Sequence, residues 1–196
     1  AAHRLENVLA LRGDVTPGAT PTGEFAHASE VAAFINEQIP GYFNIIGACY
    51  PETHPEAASA QEDLRWTVHK VDAGVSQLAT QLFFDNRHFY AFLERAHAAG
   101  ITVPIQAGIM PVVNARQAAR MVELCGANIP AEFAALVERY GADDAAMRAA
   151  GIDYAIRQIL DLIEHGVCGI HLYTMNDPAT AAAITAAVKN SANLSD

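Results

Sequence analysis

The sequence predicts an α/β protein built on parallel strands. Five short apolar segments alternate with longer amphipathic segments, and each apolar segment is nearly continuous rather than alternating with polar residues. Continuous apolar strands are typical of parallel sheets that helices cover on both faces. This pattern alone fits both a doubly wound sheet and part of a (β/α)8 barrel. Because a complete barrel takes about 250 residues, the five units fit a TIM-type barrel that lacks its first strands.

Local signals place the elements in chain order. Strands are predicted over residues 7–11, 44–49, 77–84, 103–109 and 167–175. Helices are predicted over residues 29–39, from the turn after the second strand to 73, over 86–99, 114–124, 129–140 and 144–165, and from 178 onward. Glycines that follow three of these helices are expected to end them: Gly74, Gly100 and Gly166. The expected N-caps are Asp85, Asn114 and Asp177.

Composition limits the class of protein. At 196 residues and 52% hydrophobic, the chain can bury one core, and we predict a single domain over residues 1–196. A net charge of −10 argues against nucleic-acid binding. No apolar run approaches the roughly 20 residues that span a bilayer. Three widely spaced cysteines favour buried free thiols and a cytoplasmic location over a disulfide framework.

Polar residues follow the predicted strands. Tyr50, His54 and Gln81 come at the ends of the two strands of the central βαβ unit, and the triplet Arg12-Gly13-Asp14 follows the first strand. Because parallel α/β folds gather function at the C-terminal ends of their strands, we expect these residues to lie near one another. The triplet could equally form a structural ion pair or a simple turn.

The loop YPETHPE after the second strand is stiffened by two prolines. It could hold Tyr50 and His54 against a flat ligand, because an aromatic ring supplies stacking area at little entropic cost. The alternative is a loop that only leads into a helix, with Glu56 favouring the helix dipole. A metal at His54 with Glu52 or His88 is disfavoured because no two histidines have HExxH spacing.

Two further groups of residues are candidates for ligand binding. One helix carries four of them at three- and four-residue spacing: Asp63, Trp66, His69 and Lys70. A solvated polar face explains that spacing by default. Gln81 lies inside the predicted apolar strand LATQLFF, where an amide needs hydrogen-bond partners and could form hydrogen bonds to a ligand. Gln117 needs no role beyond capping its helix.

Six motifs occur in one order along the chain: ALRGD at 10–14, ACYPETHPEA at 48–57, KVDAG at 70–74, TQLFFD at 80–85, GIMPV at 108–112 and LYTMN at 172–176. Glycine-rich phosphate loops and a serine nucleophile elbow are not found in the sequence. Taken together, the motifs resemble the methylenetetrahydrofolate reductase family, FAD-dependent enzymes of one-carbon metabolism.

The resemblance implies a (β/α)8 barrel with FAD across its C-terminal rim. By resemblance, the cofactor would be held by Arg12, Gly13, Asp14, His27, Ala28, Tyr50, His54, Asp63, His69, Lys70 and Tyr173. The substrate-binding residues would be Gln81, Gln117 and Met121, and the catalytic residues would be Asp14 and Gln81. The implied reaction is ping-pong: NAD(P)H reduces FAD, which then reduces 5,10-methylenetetrahydrofolate to 5-methyltetrahydrofolate. A homo-oligomer is also expected.

Several positions depart from the family pattern. His27 stands where Tyr is frequent, His69 and Asp177 where Arg is frequent, and Met121 where Phe packs on the ligand. The family's N-terminal strands, with the Glu that serves as general acid, have no counterpart in the sequence. We therefore expect residues 1–196 to be the C-terminal two-thirds of a longer polypeptide. A non-catalytic flavin- or folate-binding barrel remnant is the alternative function.

Overall fold

A computed structural model describes residues 5–13, 18 and 23–192 of the chain. This part of the chain contains five strands: β1 (Asn7–Ala10), β2 (Asn44–Cys49), β3 (Gln77–Thr80), β4 (Ile105–Ile109) and β5 (Ile170–Leu172). It contains seven helices: α1 (Ala28–Gln38), α2 (Ala60–Asp72), α3 (Asn86–Ala98), α4 (Ala115–Cys125), α5 (Ala131–Tyr140), α6 (Asp144–Glu164) and α7 (Pro178–Ala192). None of these helices is long and apolar enough to cross a membrane.

The five strands form one parallel sheet in the order of the sequence. A doubly wound sheet would reverse its strand order at a switch point, whereas a barrel adds each new strand beside the last. The strand order therefore decides between the two predicted architectures. The predicted TIM-type barrel fold is confirmed as an open half-barrel, in which β1 and β5 are the edge strands of the described sheet.

The two faces of the sheet differ in composition because side chains alternate along each strand. The outer face carries large apolar side chains such as Ile45, Leu78 and Ile109, which are fully buried against the helices. The inner face carries methyl groups at Ala48 and Ala79, which line a cleft. Helix packing thus stabilises the outer face, and small side chains leave room over the inner face.

Most strands are shorter than the apolar runs that predicted them. The third run was expected to extend to residue 84, but β3 ends at Thr80, so the prediction that Gln81 lies inside a strand is wrong. The rest of that run turns away to build a second core above the sheet, where Leu82 and Phe84 are buried. The ring of Phe84 stacks on Phe133 at 4.6 Å between centroids. Burial, rather than strand pairing, accounts for these apolar residues.

The other strand limits also have local reasons. β4 begins after Pro104, which has no N–H to donate but accepts a hydrogen bond from Leu78 N through its carbonyl oxygen (2.8 Å). β5 ends before Met175 and Asn176, whose positive φ angles turn the chain into the next loop. The cysteines are free as predicted, but only Cys49 is buried, and the prediction of burial is wrong for the exposed Cys168.

The predicted N-caps and the glycines predicted to end helices are confirmed. The Asp85 side chain accepts a hydrogen bond from Arg87 N at 2.9 Å, and the Asp177 side chain accepts one from Thr180 N at 3.0 Å. Three predicted stop glycines have positive φ angles: Gly74, Gly100 and Gly166. Ser59 also caps a helix, because its hydroxyl accepts a hydrogen bond from Glu62 N (3.2 Å), and this cap was not predicted. Local hydrogen bonds and glycine conformations thus set where these helices begin and end.

A substitution at Gly151 can test how closely α6 packs on the segment that follows β4. Alanine is favoured over glycine by about 1 kcal/mol within a helix, yet a Cβ at Gly151 would overlap the carbonyl oxygen of Val112. We expect Gly151→Ala to lower the free energy of unfolding by about 1–3 kcal/mol in urea titrations. The control is Ala149→Gly, at an exposed position of the same helix, which should cost about 1 kcal/mol. An alanine at 151 that stabilises the protein would contradict this packing.

Candidate functional site

A cleft of about 470 Å³ opens at the C-terminal ends of β1, β2, β3 and β5. The predicted site residues that line it are Arg12, Gly13, His27, Ala28, Tyr50, His54, Asp63, Lys70, Gln81 and Tyr173. Because these residues come from separate strands, loops and helices, the fold brings together positions far apart in the sequence. Asp14, predicted as a catalytic and cofactor-binding residue, lies outside the described residues.

The floor of the cleft depends on Gly108. The Tyr173 hydroxyl donates a hydrogen bond to the Thr80 carbonyl oxygen at 2.9 Å. A Cβ at Gly108 would lie only 2.9 Å from Cε2 of Tyr173 and would overlap Thr80 O. Gly108 therefore makes space for the tyrosine ring, and burial raises the pKa of Tyr173 to about 12. At neutral pH this side chain is a hydrogen-bond donor that closes one side of the cleft.

The loop at residues 50–56 is anchored by two neighbouring helices. The buried carboxylate of Asp63 accepts a hydrogen bond from the His54 backbone N–H at 2.9 Å. Arg95, on α3, donates to the Pro51 carbonyl oxygen at 3.1 Å. Within the loop, the Tyr50 and His54 rings meet edge to face at 4.5 Å. The prediction that a stiff loop presents these two rings to the cleft agrees with this geometry.

Two more contacts tie the same loop to the rest of the rim. The Glu52 carboxylate accepts a hydrogen bond from Asn128 N at 3.0 Å, which joins the loop to the segment between α4 and α5. Arg12 forms a two-pronged ion pair with Glu56, at 2.9 and 3.1 Å. These hydrogen bonds from Arg12 hold the pKa of Glu56 below its usual range. Arg12 thus pairs with a carboxylate of the neighbouring loop, and the pair forms part of the cleft wall.

Lys70 is a partly buried cation of the cleft. Its Nζ donates to the Ala48 carbonyl oxygen at 2.8 Å. Burial lowers the pKa of Lys70, because removing water from the ammonium group favours its neutral form. Asp63, which precedes Lys70 on the same side of α2, is only 7% exposed. The default interpretation of this helix face as solvated is therefore wrong for Asp63 and Lys70, which point towards the sheet.

Three predicted residues do not line the cleft. His69 is exposed and lies beside the Trp66 ring, 5.7 Å between centroids. Gln117 serves its own helix, because its Oε1 accepts a hydrogen bond from Val113 N at 3.0 Å and its backbone N–H donates to Asn114 Oδ1. Met121 is buried in the second core. Their roles in ligand binding remain predictions.

Gln81 presents its amide nitrogen to the cleft. Its Oε1 accepts a hydrogen bond from Leu82 N at 2.9 Å, while its backbone N–H donates to Cys49 O at 2.7 Å. With the amide oxygen and backbone N–H occupied, Nε2 is the group that can donate to a ligand. Gln81 can therefore donate a hydrogen bond to a carbonyl or carboxylate oxygen of a ligand.

His171 is a cleft residue that the sequence analysis missed. It lies on β5, and its ring meets Tyr173 edge to face at 4.6 Å. Residues two apart on a strand share a face, so the prediction of Tyr173 as a site residue contained the signal for His171. Trp66, one of the four candidates on α2, also lines the cleft.

A parallel half-barrel whose strand ends open into one polar cleft is the arrangement of barrel enzymes, which place their sites at this rim. The family model described as methylenetetrahydrofolate reductase matches residues 1–189. The chain therefore belongs to the methylenetetrahydrofolate reductase family, as the sequence motifs indicated.

Relatives from plants, bacteria and animals agree with this assignment. The chain is 37% identical to methylenetetrahydrofolate reductase (NADH) 1 of Arabidopsis thaliana, with 93% of this chain and 33% of that protein covered. It is 37% identical to 5,10-methylenetetrahydrofolate reductase of Escherichia coli, with 88% and 57% covered. It is also 37% identical to the probable NADPH enzyme of Caenorhabditis elegans, with 89% and 27% covered. The chain thus spans between about a quarter and just over half of these relatives.

A solved structure shares the fold. It is an uncharacterised protein from Clostridium thermocellum, described as binding two copies of 5-methyl-5,6,7,8-tetrahydrofolic acid. The TM-score is 0.58 at 15% sequence identity, and the match covers 83% of this chain and 58% of that one. At this identity the similarity concerns the fold.

Asp63→Ala tests whether the buried carboxylate holds the loop at residues 50–56. Removing it leaves the His54 N–H without its acceptor, and a buried unsatisfied donor costs about 1–3 kcal/mol. We expect a corresponding loss of unfolding free energy in urea titrations. Asp63→Asn is the matched control, because it keeps an oxygen acceptor and should lose less than the alanine variant. Equal stability of Asp63→Ala and the unmodified protein would show that the loop does not depend on this bond.

Proposed function

We propose that this chain supplies the FAD-binding rim of an enzyme that reduces 5,10-methylenetetrahydrofolate to 5-methyltetrahydrofolate with NAD(P)H. The observation that carries the proposal is the gathering of a partly buried cation, an aromatic loop and a donor amide in one cleft of a family member: Lys70, Tyr50, His54 and Gln81. The names of the relatives support the reaction, and they include both NADH and NADPH enzymes.

The residues of the cleft fit a flavin cofactor. Ala48 and Ala79 offer only methyl groups to the cleft, so a flat ring system can approach the sheet closely. The ammonium group of Lys70 has lost water and donates to a neutral carbonyl oxygen, so a phosphate oxygen would stabilise its charge. Arg12, Gly13, Tyr50, His54 and Tyr173 would complete the cofactor contacts, with Asp14 directly after Gly13. When bound, FAD would supply the hydride transfer between NAD(P)H and the folate.

The protein's own groups would orient the reacting molecules. The Gln81 amide nitrogen can donate to a carbonyl oxygen of the folate or of the nicotinamide, which would occupy the same place in turn. The Tyr173 hydroxyl is committed to Thr80 O, so it shapes the cleft rather than moving a proton. The structural neighbour from Clostridium thermocellum binds a methylated folate, which supports a folate ligand for this kind of fold. Positioning of this kind lowers the barrier because the reactants are held in a near-attack geometry.

The test of this function is an anaerobic half-reaction. NADH or NADPH is added to the FAD-loaded protein, and loss of the oxidised-flavin absorbance is followed in a stopped-flow instrument. We expect reduction by at least one nucleotide, and reoxidation when 5,10-methylenetetrahydrofolate is added. A flavin that binds but is reduced by neither nucleotide would contradict the reductase and support the non-catalytic remnant.

Gln81→Ala should slow this half-reaction while leaving FAD bound. Loss of one well-placed donor costs about 100- to 1,000-fold in rate when the donor is used at the reacting group. Gln38→Ala is the control, because Gln38 is exposed at the end of α1 and does not line the cleft. The outcome that speaks against the assignment is an unchanged rate for Gln81→Ala, or an equal loss in both variants.

The pH dependence of FAD binding tests Lys70. Its pKa is lowered by burial, and a bound phosphate would raise it again, so binding takes up a proton once the pH exceeds the lowered pKa. We therefore expect FAD affinity to fall as the pH rises above that value and to level off above the pKa of the complex. Lys70→Arg stays charged throughout this range and should remove the pH dependence. A pH dependence that is identical in Lys70→Arg would exclude Lys70 as its source.

A further inference from the structure

His171 lines the cleft but has no role in the cofactor and substrate contacts proposed above. It lies on β5 directly beside Gly108 of β4, a position that carries no side chain. Its half-buried ring meets the Tyr173 ring edge to face at 4.6 Å between centroids. Within the described part of the chain, no residue forms a hydrogen bond with this ring. Its two nitrogens are therefore available to a ligand in the cleft.

Tyr173 connects His171 with the donor amide of Gln81. The Tyr173 ring contacts the imidazole, and its hydroxyl donates to the carbonyl oxygen of Thr80, the residue before Gln81. His171, Tyr173 and Gln81 all line the cleft where the strands end. A ligand that accepts a hydrogen bond from the Gln81 amide therefore lies beside the imidazole of His171.

Four acidic or phenolic side chains of the cleft are unsuited to donating a proton at neutral pH. Glu56 pairs with Arg12, whose hydrogen bonds hold the pKa of Glu56 below its usual range. Asp63 accepts a hydrogen bond from the backbone of the neighbouring loop. Tyr50 and Tyr173 are phenols, which keep their proton at neutral pH, and burial raises the pKa of Tyr173 to about 12.

Other ionisable groups are engaged elsewhere or lie away from the strand ends. Lys70 donates to a strand carbonyl oxygen at 2.8 Å, and His54 Nδ1 accepts a hydrogen bond from a backbone N–H of its own loop at 3.0 Å. His27 and Glu62 belong to the beginnings of α1 and α2. His171 is therefore the group at the strand ends that is placed to donate a proton, and histidine changes its charge between about pH 5 and 8.

We propose that His171 donates the proton that opens the five-membered ring of the folate. This inference rests on the proposed function and adds a proton donor, which the cleft residues assigned above do not supply. In 5,10-methylenetetrahydrofolate, a methylene carbon joins the nitrogens N5 and N10. The imidazolium proton moves to N10 as the bond between N10 and the methylene carbon breaks, and the electron pair of that bond stays on N10. The carbon is left as an N5 iminium that accepts hydride, and the neutral imidazole takes its next proton from solvent.

The test is the folate half-reaction of the FAD-loaded protein. The flavin is reduced anaerobically with light, which bypasses NAD(P)H, and is then mixed with 5,10-methylenetetrahydrofolate across about pH 6 to 8. In the unmodified protein, we expect the rate of flavin reoxidation to fall as the pH rises, because the imidazolium is lost. His171→Gln should slow this step by about 100-fold or more and remove the pH dependence. Reduction by NAD(P)H moves a hydride without a proton donor, so its rate should not change.

His97→Gln is the matched control, because His97 is exposed on α3 and does not line the cleft. It should keep the rate and the pH dependence, and circular dichroism melting checks that each variant is folded. The same rate and pH dependence in His171→Gln as in the unmodified protein would overturn the inference. A reduced flavin that the folate does not reoxidise in the unmodified protein would contradict the proposed function, and the inference with it.

A second measurement, on the unmodified protein, tests the contact itself. 5-Methyltetrahydrofolate is titrated into the FAD-reduced protein, where it has no oxidised flavin to reduce, and the side-chain signals are followed by NMR. We expect the ring signals of His171 and the amide signals of Gln81 to move saturably, while those of His97 stay. Amide signals of Gln81 that move while the His171 signals stay would overturn the inference, because a proton donor must touch the folate.

Discussion

The hydrogen bond from the His54 backbone to the buried Asp63 carboxylate is the contact on which the site depends most. It fixes the loop at residues 50–56 to α2 from within, and that loop reaches α3, the α4–α5 segment and the end of β1 through other polar contacts. A loop joined to four parts of the rim cannot shift without disturbing all of them. The positions of Tyr50 and His54 therefore follow from the same contacts that stabilise the rim.

A second constraint is that the two faces of the sheet have different roles, one in stability and the other in lining the cleft. The outer face is covered by helices and supplies the stability, with Ile45 and Leu78 fully buried. The inner face carries only methyl groups at Ala48 and Ala79, and Gly108 allows the Tyr173 ring to cross β4 and reach β3. The apolar residues after β3 build a separate core that supports the rim from above. Stability and binding thus draw on different residues, so the cleft can keep polar and small side chains without weakening the core.

Much of this architecture could be predicted from the sequence. Nearly continuous apolar runs, caps such as Asp85 and stop glycines such as Gly74 are local signals, and the structure confirms them. Strand ends could not be predicted in the same way, because the apolar run after β3 is buried by tertiary packing rather than by pairing. The resemblance to a family supplied site residues, and the cleft gathers most of them. Contacts such as Arg12 with Glu56 depend on two loops meeting in space, and the stacking of His27 on Trp66 depends on the packing of α1 beside α2, so periodicity could not reveal either.

The central claim is that the cleft at the strand ends binds FAD. The most direct measurement is an equilibrium titration of FAD into the purified chain, followed by the visible absorption and circular dichroism of the flavin and then by desalting. We expect saturable binding of one FAD per chain, with a perturbed flavin spectrum that survives desalting. A folded protein whose added FAD keeps the spectrum of free flavin and is lost on desalting would contradict this claim.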